Sequence, residues 1–260
     1  MPVIKSKYLN IDNIKFSKPN YYSKGGGSIG LFQDNSLVEI QTPTLASIFG
    51  LSCYKDDEKD DKIKSITITL QFNSKADKTN RVDNFLKKIK KLDNKVKWEA
   101  SKQHKSWLKC SKPVPNEAIN ALFKKSLYYK TLPTTEIDYS VPPTFKVKVP
   151  YYNDKIGDLN VFNQNNESVD FDLEYLQDKI VDGCLVKAII QPKIWIIDKK
   201  FGITYNLKAL QIFEGSLLKQ KKTNNNNKSI NLYFNNQNSN NKSDDSDSDS
   251  DDDDIEQFNH

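Results

Sequence analysis

The stretch CLVKAIIQPKIWIIDKKFGITYNLKALQIF, residues 184–213, decides the fold of this chain. Apolar, β-branched and aromatic residues dominate it, which is typical of strands. Pro192 interrupts it once, and the turn DKKFG places Gly202 where a positive φ would be needed. The stretch therefore predicts a meander of three strands, at residues 184–190, 193–197 and 203–213.

Apolar periodicity outside this stretch predicts further strands and two helices. Alternation with period two indicates half-buried strands at residues 36–41, 64–72 and 144–149. Helical spacing of apolar residues predicts an amphipathic helix over 77–95 with a basic opposite face, and a short helix over 169–179. Several short strands with one or two inserted helices predict a mainly β protein built as a small barrel.

Composition divides the chain into four parts. The first 30 residues are polar and aromatic and end in a glycine run, which favours a flexible arm over a phosphate-binding loop. The segments after Gly215 are too polar to bury a core, so we expect them to be disordered. The expected parts are an N-terminal arm (1–30), a β-rich domain (31–215), an Asn/Lys-rich linker (216–242) and an acidic tail (243–260).

Charge is distributed unevenly along the chain. The formal net charge is +5, yet residues 243–260 hold nine of the 34 acidic residues and no Lys or Arg. Residues 1–242 therefore carry 39 basic against 25 acidic residues, a formal charge of +14. That excess favours a phosphate backbone over an anionic membrane as partner. Arg81 is the only arginine, and the lysine bias fits either sequence-tolerant binding or an AT-rich genome.

The sequence carries no signal of catalysis, metal binding or export. Cys53, Cys110 and Cys184 are widely separated and form no CxxC pair, so we expect reduced thiols and neither a disulfide framework nor a zinc site. Two histidines and the absence of catalytic motifs predict that the chain is no enzyme and needs no cofactor. A carboxylate-only two-metal nuclease stays open as an alternative, because paired acids are not recognisable without the fold. The sequence has no apolar run of the kind that predicts a signal peptide or a membrane span, so an intracellular protein is expected.

Residues 189–212, IIQPKIWIIDKKFGITYNLKALQI, resemble the final strands of a viral protein family. The family is that of the OB-fold single-stranded DNA-binding proteins of large nucleocytoplasmic DNA viruses, which are similar to phage-type proteins with an acidic tail. The shared elements are an apolar strand, a Trp strand, a KKFG turn, an aromatic strand and a closing Gln. Tyr205 stands where the family pattern has Trp. The resemblance implies an OB fold, sequence-independent binding of single-stranded DNA, and roles in viral DNA replication, repair and recombination.

An OB fold binds single strands through basic side chains on phosphates and rings on which bases stack. Residues 184–213 supply both chemistries, through Lys193, Trp195, Lys199, Lys200, Phe201, Tyr205 and Lys208. For Trp195 core and groove positions stay open, because alternation does not reveal which face is inside. Lys146 and Lys148 share one strand face and are further candidates. Trp107 lies in a second basic-aromatic cluster, where burial under a loop is favoured over base contact.

The C-terminal region offers two candidate docking segments. Ile230, Tyr233 and Phe234 resemble a sliding-clamp-binding peptide, with a chance apolar island as the favoured alternative. Ile255 and Phe258 accompany the nine acids of the tail, which could compete with DNA and recruit a viral DNA polymerase or helicase. A purely solubilising tail is the alternative.

A different class of function also fits the charge distribution. The acidic end could hold basic partners in an interaction scaffold, or in a histone-chaperone-like protein, while the body binds protein. The sequence leaves DNA against RNA and homo-oligomerisation open. It also leaves open whether viral replication would occur in the host nucleus or in a cytoplasmic compartment.

Overall fold

A computed structural model describes residues 3–23, 25–55, 62–74 and 79–216, with side chains up to residue 213. Its strands are β1 (Ile4–Lys5), β2 (Lys15–Phe16), β3 (Asn20–Tyr21), β4 (Gly27–Gln33), β5 (Ser36–Leu37), β6 (Ile40–Gln41), β7 (Leu45–Lys55), β8 (Ile63–Gln71), β9 (Phe123–Lys124), β10 (Thr144–Val149), β11 (Tyr151–Tyr152), β12 (Lys155–Ile156), β13 (Asn160–Phe162), β14 (Cys184–Ile197) and β15 (Lys200–Ser216). Its helices are α1 (Arg81–Lys102), α2 (His104–Trp107), α3 (Asn116–Leu122) and α4 (Leu173–Lys179), with a 3-10 turn at Ser6–Tyr8.

Five of these strands close into a ring. β7 pairs with β8, and β8 pairs with β10, both antiparallel. β10 then runs parallel to β15, β15 pairs antiparallel with β14, and β14 returns to β7. A ring of five strands in this order, with one parallel pair, is an OB-fold barrel. The prediction of a mainly β barrel with inserted helices is therefore confirmed.

The β14–β15 hairpin differs from its expected form in two places. Pro192 does not break β14, since it pairs with Tyr205 and lies between the β14 segments that β6 and β4 pair with. Between the segments of β14 that pair with β6 and β4, a residue that lacks an N–H is tolerated on that edge of the strand. The turn is formed by Asp198 (φ 48°) and Lys199 (φ 66°), so the positive φ expected at Gly202 is wrong.

Helix α1 packs its apolar side against the barrel. Phe85 contacts the rings of Phe72 and Phe145, at centroid distances of 5.7 and 6.2 Å. Phe145 in turn meets Tyr205 edge to face at 5.4 Å. Each of these buried rings stabilises the fold by about 1.5–3 kcal/mol through burial alone. The inserted helix and the barrel therefore share one core.

The N-terminal residues are part of this fold, which corrects the expected flexible arm at 1–30. Leu9, Ile11 and Ile14 are buried, and β4 pairs with β14. The Lys88 ammonium of α1 donates to the Ser6 and Lys7 carbonyls at 2.9 and 2.7 Å, and the Lys95 ammonium donates to the Ile11 and Asp12 carbonyls. The domain boundary expected at residue 31 thus moves upstream to β1. The linker 216–242, apart from the end of β15, and the tail 243–260 lie outside the described residues.

Candidate nucleic-acid interface

The outer side of β8, β10, β15 and β14 forms one continuous surface, which we call the barrel face. Alternation defines it, because neighbours such as Ile66, Ile68, Phe145 and Val147 point into the core. Cα partners in a sheet point to the same side, so the register assigns the outward residues of all four strands. The barrel face comprises Thr67, Thr69, Lys146, Lys148, Gln191, Lys193, Trp195, Gly202, Thr204 and Asn206, of which Thr69 and Gly202 are themselves buried.

Three lysines occupy outward positions in the middle of the barrel face. Lys148 lies opposite Thr67 in β8 and opposite Asn206 in β15. Two residues back along β10, Lys146 therefore lies beside Thr204, whose other neighbour is Lys193 in β14. Lys146 and Lys193 are thus two strand spacings apart, roughly 10 Å between their Cα atoms. The predicted Lys146, Lys148 and Lys193 are brought together, and all three are exposed.

Two aromatic rings flank these lysines. Trp195 is half-buried and packs over Gly202, where an added Cβ would lie 3.0 Å from the indole Cζ2 atom. The missing side chain of Gly202 is what leaves room for this ring. On the other side Tyr128 bridges to Thr144 and keeps 40% of its surface exposed, with the Lys146 ammonium 5.7 Å from its ring centroid. Trp195 therefore adjoins Lys193 along β14, and Tyr128 adjoins Lys146.

Tyr128 and Lys124 were not predicted from the sequence. β9 runs parallel to the start of β15 and sets Lys124 beside Gly202, close to the Trp195 indole. The segment KKSLYYK, residues 124–130, interleaves lysines and aromatic residues. That pattern was the available signal, although short strands such as β9 give no periodicity to place it.

Three predicted stacking residues lie inside the protein, which corrects their expected role. Phe201 is 0% exposed against Phe123, and Tyr205 is 1% exposed. Both follow from the register, because Gly202 shares the outward side with Trp195 and residues 201 and 205 take the opposite side. Trp107 is 2% exposed and packs edge to face on Phe16, so burial was the right alternative.

The remaining predicted lysines lie away from the centre of the barrel face. Lys199 and Lys200 are exposed at the hairpin turn, beyond Trp195 along β14. Lys208 is half-buried at a register shift, where Ile189 pairs with Ala209 and the next residue pairs with Leu207. These three side chains extend the positive charge rather than form its core.

A buried polar network fixes the position of the Tyr128 segment. The Ser126 hydroxyl donates to Asp93 Oδ1 at 2.6 Å, and the Ser126 amide donates to Oδ2 at 3.1 Å. The Tyr205 hydroxyl donates to the Ser126 oxygen at 3.4 Å. Burial raises the pKa of Asp93, against the lowering effect of these hydrogen bonds, and burial and Asp93 raise the pKa of Tyr205. The network ties α1 and β15 to the strand-like segment that carries Tyr128.

Other chemistry is little represented in the described part of the chain. Within those residues, no group of three or more His, Cys, Asp or Glu side chains could hold a metal ion. No described helix has the length and apolar character needed to cross a membrane. Cys53, Cys110 and Cys184 are free thiols, and burial raises the pKa of Cys184 to about 11.

Comparison with known proteins gives distant structural similarity. No protein-family model and no curated protein sequence matches this chain. The single-stranded DNA-binding protein from bacteriophage Enc34 is 14% identical, with a TM-score of 0.37 over 76% of this chain and 86% of that chain. The same phage protein in complex with single-stranded DNA is 12% identical, with a TM-score of 0.38 over 75% of this chain and 89% of that chain. The single-stranded DNA-binding protein gp2.5, encoded by bacteriophage T7, is 13% identical, with a TM-score of 0.38 over 74% of this chain and 98% of that chain. These proteins are remote from this chain, so its function rests on its own residues.

Proposed function

We propose that this chain is a non-catalytic protein that binds single-stranded DNA largely without regard to sequence. The observation that carries the proposal is the barrel face, where Lys146, Lys148 and Lys193 share one surface with the rings of Trp195 and Tyr128. None of the outward residues that define this face is acidic. Lysines can neutralise the phosphates while the rings stack bases, each stack contributing about 1–3 kcal/mol.

The chemistry of the face favours single strands without base readout. A duplex hides the flat faces of its bases, so outward-facing rings such as those of Trp195 and Tyr128 gain little from it. Lysine offers a point charge to phosphate rather than the planar fork that reads guanine edges. The threonine and asparagine side chains between the lysines supply adaptable hydrogen bonds. Binding is therefore expected to depend strongly on salt and weakly on sequence.

The wider role is inferred from the resemblance of residues 189–212 to the viral single-stranded DNA-binding proteins. We place the protein in a family of large DNA viruses, at sites of viral DNA replication, with parts in recombination and repair. Coating of unwound DNA protects it and keeps it unpaired. The nucleus and the cytoplasmic replication compartment of the host are both compatible with this role.

The C-terminal residues complete the proposal, although they lie outside the described part of the chain. The tail 243–260 offers negative charge and the ring of Phe258, so it can compete with DNA for the barrel face. Tethering raises its local concentration to roughly millimolar, which makes weak competition effective. DNA at high density displaces the tail and frees Ile255 and Phe258 for a polymerase or helicase. Ile230, Tyr233 and Phe234 are a second docking segment, for a sliding clamp.

Binding to immobilised single- and double-stranded DNA over a range of salt tests the central proposal. The expected result is retention on single strands alone, with an affinity that falls as salt rises. The double variant Lys146→Gln/Lys193→Gln should reduce the salt slope by about 1.4, at roughly 0.7 per lost charge. Lys112→Gln removes an exposed charge elsewhere and serves as the matched control. Equal retention on both forms of DNA, or on neither, would overturn the proposal and favour the acidic-tailed scaffold.

Two further measurements separate the remaining alternatives. Matched poly(dT) and poly(U) titrations compare DNA with RNA, since a contact to the 2′-hydroxyl is what distinguishes them. Deletion of residues 243–260 should tighten DNA binding at low salt, where charge competition is least screened. If the truncated protein binds no tighter at low salt, the competition by the tail is ruled out while binding by the barrel face is unaffected.

A further inference from the structure

A strongly basic cavity lies outside the barrel face. It has a volume of about 320 Å³ and is lined by four basic residues and two threonines, of which Thr42 already accepts a hydrogen bond from the Ala188 amide. No acidic residue contributes to its described lining. The six side chains are Lys5, Lys7, Arg81, Lys187, Thr42 and Thr44.

The position of Arg81 suits a phosphate group. It is the only arginine in the chain, and its planar guanidinium can bind two phosphate oxygens at once. It is also the first residue of the 22-residue helix α1, whose N-terminus favours negative charge. The N-cap residue Asn80 makes no side-chain hydrogen bond to the first turn. Lys5 and Lys7 reach the same cavity because the N-terminal segment packs against α1.

An apolar cavity of about 200 Å³ adjoins the basic one and shares Gln41 and Lys187 with it. Ile189 and Ala209 line it, together with the ring of Phe162. The amide side chains of Asn166 and Gln211 also line it, the latter donating to the Asn163 carbonyl at 3.3 Å. An apolar floor with an aromatic ring and amides is suited to a nucleobase, which offers a flat face and polar edges.

Both cavities lie along the outward row of β14 that begins in the barrel face. Lys187 and Ile189 share the outward side of β14 with Gln191 and Lys193, while Ala188 and Ile190 point inward. Lys187 lies six positions before Lys193, which is about 20 Å along an extended strand. A DNA strand that leaves the barrel face along β14 therefore arrives at the paired cavities.

We propose that the paired cavities form a second nucleotide subsite, which holds a phosphate of the bound DNA strand on Arg81, Lys5 and Lys7 and its base against Phe162 and Ile189. The subsite rests on the proposed function, since it takes the same strand as the barrel face. It anchors the strand at one end of its path and lengthens the site that one protein molecule occupies.

Fluorescence anisotropy with labelled oligo(dT) of increasing length tests the subsite in the full chain. Short oligomers that cover only the barrel face should bind Arg81→Gln and the wild type equally. Beyond a threshold length the wild type should gain affinity, and Arg81→Gln should lack that gain and have a salt slope lower by about 0.7. Lys112→Gln, which removes a charge elsewhere, should follow the wild type at every length.

A second arm tests the base cavity without changing the protein. Lengthening the oligomer with abasic nucleotides should increase the affinity of the wild type less than lengthening it with intact nucleotides does. The subsite is overturned if Arg81→Gln matches Lys112→Gln at all lengths and salt concentrations, or if abasic additions bind as well as intact ones. If Lys146→Gln/Lys193→Gln weakens the binding of short oligomers in the same series, DNA binding by the barrel face is supported even when the subsite is disproved. If the double variant binds them normally, the proposed function itself fails.

Discussion

The two sides of the β14–β15 hairpin carry similar residue types and have different roles. On the inner side Tyr205 and Phe201 lie in the core, packed against other rings. On the outer side Trp195 stands half-exposed beside Lys193. A shift of one residue in register would exchange the two sets. Alternation, and not residue type, therefore separates aromatic residues that stabilise the fold from those available to bases.

The largest effect is expected on the inner side. Tyr205→Ala removes a fully buried ring and should lower the free energy of unfolding by about 3–5 kcal/mol. Urea denaturation measures this loss, and Tyr205→Phe, which keeps the ring, should lose only about 1 kcal/mol. The fraction that remains folded should bind single-stranded DNA with an unchanged salt slope. A stable Tyr205→Ala protein with impaired binding would reverse the assignment of the two sides.

Trp195→Ala should act on binding more than on stability. Loss of the stacking ring should weaken binding to poly(dT) by about 1–3 kcal/mol while the salt slope stays the same. Trp98→Ala is the matched control, because Trp98 is exposed on α1 and contacts Lys102 away from the barrel face. Equal losses in the two variants would show that the outer side of the hairpin has no special part in binding.

Gly202→Ala tests how closely the outer ring is positioned. The added Cβ would lie 3.0 Å from the Trp195 indole and from the Cβ and carbonyl oxygen of Lys124. Displacing one side chain from its rotamer costs roughly 0.5–1.5 kcal/mol, so affinity should fall less than in Trp195→Ala. Gly157→Ala, whose added Cβ makes only ordinary contacts, is the control. Unchanged affinity in Gly202→Ala would mean that the indole position is not critical.

The smallest effect concerns the buried network behind Tyr205. Burial raises the pKa of Asp93 above its ordinary value of 3.8, so the folded state holds this proton more tightly than the unfolded state. The contribution of Asp93 to stability therefore falls as pH rises from 3.8 through the raised pKa. Asp93→Asn does not titrate and should lack this component when unfolding is followed across the acid range. The same pH slope in both proteins would contradict the raised pKa.

The sequence predicted most of the barrel and only part of the site. The strand at 144–149 was placed at its observed bounds, because strict alternation of apolar residues and lysines is a strong local signal. The strands β1, β2 and β3 were missed because each has only two residues, and β4 was missed because it depends on β14, a partner distant in sequence. Tyr128 was missed for the same reason, since a single bridge to Thr144 brings it to the barrel face.

What the sequence determined by itself is the class of architecture and the chemistry on offer. Period-two patterning, lysine excess and aromatic content are local properties, and they carry through to the β barrel and its basic surface. Only the tertiary structure decided which side of β14 and β15 faces the core, because alternation is symmetric until a partner sheet closes over one side. Closure of the ring and packing of α1 put Tyr205 inside and Trp195 outside. The same closure brought Arg81 to Lys5 and Lys7, which no local pattern in the sequence connects.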